Sequence, residues 1–67
     1  MKRIALYIWE GEPRRIALAL RRRGFDVRHD GRHVIFQQPV RARDVARAIR
    51  RYMLAAGRTV SYQFVRL

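Results

Sequence analysis

The stretch Gly24-Phe25-Asp26-Val27-Arg28-His29-Asp30-Gly31-Arg32-His33-Val34-Ile35-Phe36-Gln37-Gln38 decides the fold. Two alternating runs flank Asp30-Gly31, a pair suited to a type I′ turn because both central positions need positive φ, so a hairpin is predicted with strands over 25–29 and 32–38. A two-residue turn at that point pairs His29 with Arg32, Arg28 with His33, Val27 with Val34, Asp26 with Ile35 and Phe25 with Phe36. The apolar pairs must face a core. Asp26, Arg28, His33, Ile35 and Gln37 then lie on the opposite face.

Upstream, Gly24 is a helix stop with Phe25 behind it as a capping contact. Pro13 opens that helix at the position where proline is favoured, and Glu10 and Glu12 suit its positive end, which sets a helix over 13–23. Before it, Lys2 to Trp9 alternates through Ile4, Leu6 and Ile8 and reads as a strand that buries these three and exposes Arg3, Ala5, Tyr7 and Trp9. Downstream, Pro39 ends the hairpin, and 40–56 carries a helical apolar stripe of Ala42, Val45, Ala46, Ile49, Tyr52, Met53 and Ala56 that stops at Gly57. A last strand over 58–67 buries Val60, Tyr62 and Phe64 and exposes Ser61, Gln63 and Val65. The order β-α-β-β-α-β predicts an α+β, ferredoxin-like split arrangement: one domain over 1–67, a four-stranded antiparallel sheet, and two helices on one face.

Sixteen Lys plus Arg stand against five Asp plus Glu in 67 residues, and all the bases but Lys2 are arginine. Such a field attracts polyanions, and arginine's planar fork grips phosphate with two bonds. Arg43, Arg47, Arg50 and Arg51 share the outer side of the second helix, and Arg14, Arg15, Arg21 and Arg22 that of the first. Ordinary solvated helix faces mix both signs at i,i+4 spacing. Here Asp44 is the sole compensation, which favours an anionic partner. Neither helix carries the exposed bulky apolar stripe that membrane insertion needs, so no membrane partner is expected.

The chain has no cysteine, which removes disulfides and cysteine-based zinc sites and leaves packing or self-association to stabilise a thin core. The amino terminus has too short an apolar run for a signal peptide, and a cytoplasmic location is expected. His29 and His33 have metal-pair spacing, but the hairpin points them to opposite faces, so no metal is expected; no cofactor motif occurs either. Without a Gly-rich phosphate loop or paired carboxylates on one face, the chain is expected not to be an enzyme. One catalytic arrangement stays open: Asp26, Arg28 and His33 as neighbours on the exposed hairpin face, able in principle to cleave RNA.

Leu6-Tyr7-Ile8-Trp9 resembles the first half of the inner-strand motif of RNA-recognition-motif domains, with Tyr7 at the stacking position. The resemblance covers one strand; the family's glycines are absent, and His33 and Ile35 stand where two further aromatics belong. It implies bases stacked on the sheet. Gly24-Phe25 through Gly31-Arg32-His33 to Pro39 is similar in spacing to the Gly-Phe, Gly-Ser-His and His-Pro marks of HicA-type mRNA interferase toxins, which implies a catalytic role for His33. Arg32 replaces the serine, Gln38 replaces the second histidine, and the order of elements differs.

The expected function is a nucleic-acid-binding module for single-stranded RNA or DNA. Tyr7 and Trp9 would stack bases, Arg3, Arg28 and His33 would contact the strand on the sheet, and Arg43, Arg47, Arg50 and Arg51 would form a second phosphate-contacting surface. The alternatives are a regulator that binds an acidic protein, or a homodimer, using the open sheet as the interface.

Overall fold

A computed structural model describes residues 3–67. Lys2, assigned above to the first strand, lies outside the described residues. The elements are β1 (Ile4–Glu10), α1 (Pro13–Arg22), β2 (Val27–Asp30), β3 (His33–Phe36), α2 (Ala42–Ala56) and β4 (Ser61–Arg66). They form one antiparallel sheet in the order β2-β3-β1-β4, the ferredoxin-like arrangement, with both helices over one face.

Local chemistry explains the boundaries. Glu12 precedes α1 with extended backbone and Pro13 takes the first turn, where its missing N–H costs nothing. At the other end Gly24 adopts φ 95°, its N–H donates to the Arg21 carbonyl (3.0 Å), and the Phe25 N–H donates to the Leu20 carbonyl (3.1 Å). That pair of bonds is a Schellman motif, and Phe25 then packs edge-on against Phe36 at 5.7 Å. Gly57 closes α2 in the same left-handed region, with φ 65°. Helix α2 starts at Ala42, two residues later than the sequence suggested, because Val40 forms an isolated bridge and is buried in the core, leaving Arg41 as the N-cap.

The core is a single cluster. Leu6, Ile8, Val34 and Phe36 from the sheet meet Ile16, Leu20, Val45 and Ile49 from the helices, all fully buried, with Tyr62 and Phe64 packed at its margin. On α2 the buried side includes Ala48 and leaves Ala42 and Ala56 exposed, so the true stripe is rotated toward α1 from the one read off the sequence. The packing of α1 against that flank of α2 accounts for the rotation.

The hairpin register differs from expectation. Val27 pairs with Phe36, Arg28 with Ile35, His29 with Val34 and Asp30 with His33, so the turn residues are Gly31 and Arg32. Only Gly31 has positive φ (59°), which is the requirement of a type II′ turn; a type I′ turn at Asp30-Gly31 would also have put an aspartate there. Each partner moves by two positions, an even shift, and the side-chain period is two. Every residue therefore keeps its assigned face while its neighbours change.

Arg32 makes this turn work. Its main-chain carbonyl accepts the Ile8 N–H (2.9 Å), and its Nε donates to the Ile8 carbonyl (2.6 Å), replacing the ladder bond that the turn cannot supply. A second guanidinium nitrogen reaches the Gly11 carbonyl at 2.9 Å. Beside it β1 carries a bulge: Ile8 pairs with Tyr62 and Glu10 with Ser61, leaving Trp9 as the extra residue.

Candidate nucleic-acid interface

Two surfaces carry the residues singled out in the sequence, and they lie on opposite sides of the sheet. On the open face the register lines up whole rows. Asp30, His33, Tyr7 and Gln63 form one row across β2, β3, β1 and β4, and Arg28, Ile35, Ala5 and Val65 form the next. The Tyr7 ring lies 5.2 Å from that of His33 and 6.3 Å from that of Trp9, so the three rings make a continuous aromatic strip. Trp9 is 54% exposed and Tyr7 37%, whereas Ala5 is covered by its neighbours.

The bulge brings Glu10 to this side as well, where it accepts a hydrogen bond from the Ser61 hydroxyl at 2.6 Å. Strand alternation puts Arg3, Asp26, Arg28 and Asp30 on the open face too. Its charged groups are thus Arg3 and Arg28 against Glu10, Asp26 and Asp30, a mixed face rather than a basic one. The aromatic strip is flanked by the carboxylates of Glu10 and Asp30.

The arrangement of Asp26, Arg28 and His33 as neighbours does not survive the observed register. The Asp26 carbonyl accepts the Gln37 N–H (2.8 Å), which places Asp26 two open-face rows beyond that of His33, and Asp30 stands opposite His33 instead. His29 lies on the helix-facing side, opposite Val34, and His33 on the open side, so they share no ion, and no metal-binding cluster occurs among the described residues.

The helix layer is different in kind. Arg14, Arg15, Arg21, Arg22 and Arg23 belong to α1 and its cap, and Arg41, Arg43, Arg47, Arg50 and Arg51 to α2 and its cap; all are exposed. The carboxylates on these elements are Glu12 and Asp44. Arg21 is partly committed to structure, since its Nε donates to the Val27 carbonyl at 2.9 Å and ties α1 to β2.

Between the helices runs a cleft lined by Arg23, Phe25, Asp44, Arg47, Ala48 and Arg51. It continues over Ala19, Arg22, Arg23, Arg51, Tyr52 and Ala55. Arg22, Arg23, Arg47 and Arg51 therefore converge on one groove from two helices. Arg43 and Arg50 lie farther round α2, toward exposed Leu54.

Sequence reasoning put Arg47 and Arg51 on a basic face but did not bring Arg22 and Arg23 to them. The run Arg21-Arg22-Arg23 before Gly24 was a visible signal, since cations gather where a helix ends at its negative pole. Which flank of α2 it would meet depends on how the helices cross. Leu18 (47% exposed) and Leu54 (77%) each stand alone among arginines, and among the described residues no helix is long and apolar enough to cross a membrane.

Comparison with protein-family models, with curated proteins and with solved structures found no match.

Proposed function

We propose that this chain is a cytoplasmic nucleic-acid-binding module that holds the phosphate backbone with the arginines of its helix layer, and that it performs no chemistry on its ligand. One observation carries this: Arg22, Arg23, Arg47 and Arg51 converge on a single groove within a field of exposed arginines that Glu12 and Asp44 barely offset. Clustered like charges repel one another and oppose compact packing. A polyanion lying along the groove relieves that repulsion, and releasing its condensed counterions drives association. Contacts of this kind position a backbone without reading bases.

The sheet face suits phosphate less well. Its arginines are outnumbered by Glu10, Asp26 and Asp30, and a strand stacked on Tyr7 and Trp9 would carry its phosphates past two carboxylates. The register exchanges Asp26 for Asp30 opposite His33 and keeps Arg28 in the next row, so the cleavage assay below, and not the register, decides between binding and chemistry.

The test is a salt titration of binding to a short duplex and to a homopolymer single strand. Engagement of four phosphates gives a slope of log K against log salt of about −3.6 for duplex and about −2.8 for a single strand. Arg47→Ala and Arg51→Ala each flatten the slope by about one. Failure to bind either polymer in dilute buffer contradicts the proposal and directs attention to an acidic protein. RNA that stays intact after long incubation supports the absence of chemistry, and cleavage abolished by His33→Ala contradicts it.

A further inference from the structure

The mixed charge of the sheet face, an obstacle to phosphate, has a pattern of its own. Leu6, Val34, His29 and Phe64 form one row across the sheet on the helix-facing side, midway between the two open-face rows described above. A two-fold axis laid across the strands at this row turns each strand end for end onto itself. Position 7 of one copy then faces position 5 of the other, 33 faces 35, 30 faces 28, and 63 faces 65.

The side chains at these positions are complementary. Tyr7, large and exposed, faces the position of Ala5, the smallest residue at the centre of the face, which its own neighbours already cover. His33 meets Ile35 and Gln63 meets Val65, so polar rings and amides cover half-buried aliphatic groups. Asp30 meets Arg28, in both directions because the contact is isologous. One step further out, Arg3 faces Trp9 and Glu10, a cation between an aromatic ring and a carboxylate. One axis satisfies all of these pairings, because the register of the whole sheet is fixed by the same row.

We infer that the open sheet face is the interface of a homodimer, two copies packed face to face about a two-fold axis crossing the strands at Leu6. The arginine layers then point outward on opposite sides, and the dimer presents two phosphate-holding surfaces. Four strands at ~4.8 Å and about six residues at ~3.3 Å give each face a footprint of roughly 400 Å². That is small for a specific interface, so assembly is weak and concentration-dependent. Each copy has a net charge of +11, but the outward layers lie more than a Debye length apart, so their repulsion is largely screened at physiological salt. Salt also screens the Arg28–Asp30 attraction across the interface, so charge reversal, rather than salt, is the measurement that reads this contact.

Sedimentation of the chain alone, at roughly 1 to 500 μM and two salt concentrations, tests this. The expected result is a monomer–dimer equilibrium at both salt concentrations. Arg28→Asp and Asp30→Arg each weaken it at least tenfold by setting like charges face to face, and the double exchange restores it to within a few-fold of the parent. Both positions are exposed, and circular dichroism shows that the variants remain folded. Tyr7→Ala, which removes an exposed ring at the centre of the face, weakens the dimer without touching a charge. A chain monomeric throughout, or a dimer indifferent to both charge reversals, overturns the inference. So does a dimer that persists while a single-stranded oligonucleotide quenches Trp9, because the open face is then free in the dimer. None of these outcomes bears on binding through Arg23, Arg47 and Arg51, which the salt titration reads separately.

Discussion

The helix layer and the open sheet face are built from the same few residue types and arrive at opposite electrostatics. On the helices the arginines stand in runs, Arg14-Arg15, Arg21-Arg22-Arg23 and Arg50-Arg51, with Glu12 and Asp44 as the acids. On the sheet Arg3 and Arg28 alternate with Glu10, Asp26 and Asp30 around the rings of Tyr7, Trp9 and His33. Unbalanced charge is open to a polyanion from any direction, whereas interleaved charge and ring are satisfied only by a surface with a matching pattern. Net charge alone would have treated the whole molecule as one basic body. The division between faces assigns the attraction for phosphate to one side and leaves the other free for a different partner.

Variants on each side break or sharpen that contrast. The largest expected effect on binding comes from replacing Arg23, Arg47 and Arg51 together by alanine, which lowers affinity for a duplex by roughly 100-fold at moderate salt, about 1 kcal/mol for each lost phosphate contact, measured by fluorescence anisotropy. Replacing Arg3 and Arg28 changes it by less than about threefold; an equal loss from this pair erases the contrast. The shared core beneath both faces carries a cost at least as large in stability. Phe36→Ala removes a fully buried ring and costs about 3–5 kcal/mol in urea unfolding, which in a chain this short abolishes the folded state.

A smaller effect separates arginines by what they touch. Arg32→Ala forfeits the bonds to the Ile8 and Gly11 carbonyls and lowers stability by about 1–2 kcal/mol, with no loss of phosphate binding beyond that of one exposed charge. Arg47→Ala does the converse, with stability within about 0.5 kcal/mol of the parent and binding reduced. If Arg32 and Arg47 behave alike, the assignment of one to structure and the other to ligand is wrong. Gly24→Ala, which forces a Cβ into left-handed backbone at the Schellman cap, costs about 1 kcal/mol and leaves both surfaces in place.

Much of this was legible in the sequence, for identifiable reasons. Gly24 and Gly57 end helices by a local rule, and Ile4, Leu6 and Ile8 declare a strand by their period, so element order and fold class followed. Faces were legible too, since even the mistaken hairpin register preserved them. Neighbours were not. Asp30 replaced Asp26 beside His33 because a turn one residue later satisfies Gly31 alone, and no local pattern separates a type I′ from a type II′ turn when the glycine can occupy either slot. The bulge at Trp9, which carries Glu10 onto the open face, arises where β1 meets β4, far apart in the chain. Arg32 looked like one more cation until the end of β1 lay beside it. The groove of Arg22, Arg23, Arg47 and Arg51 depends on the crossing of two helices, and composition gave its charge but not its shape.

The most direct measurement is a titration of the isotopically labelled protein with a short oligonucleotide, followed through backbone amide resonances. The account predicts that Ala19, Arg22, Arg23, Arg47, Ala48 and Arg51 shift together while Ala5, Tyr7, His33 and Gln63 stay where they are. Shifts confined to Tyr7, Trp9 and His33, with the helices silent, would contradict it.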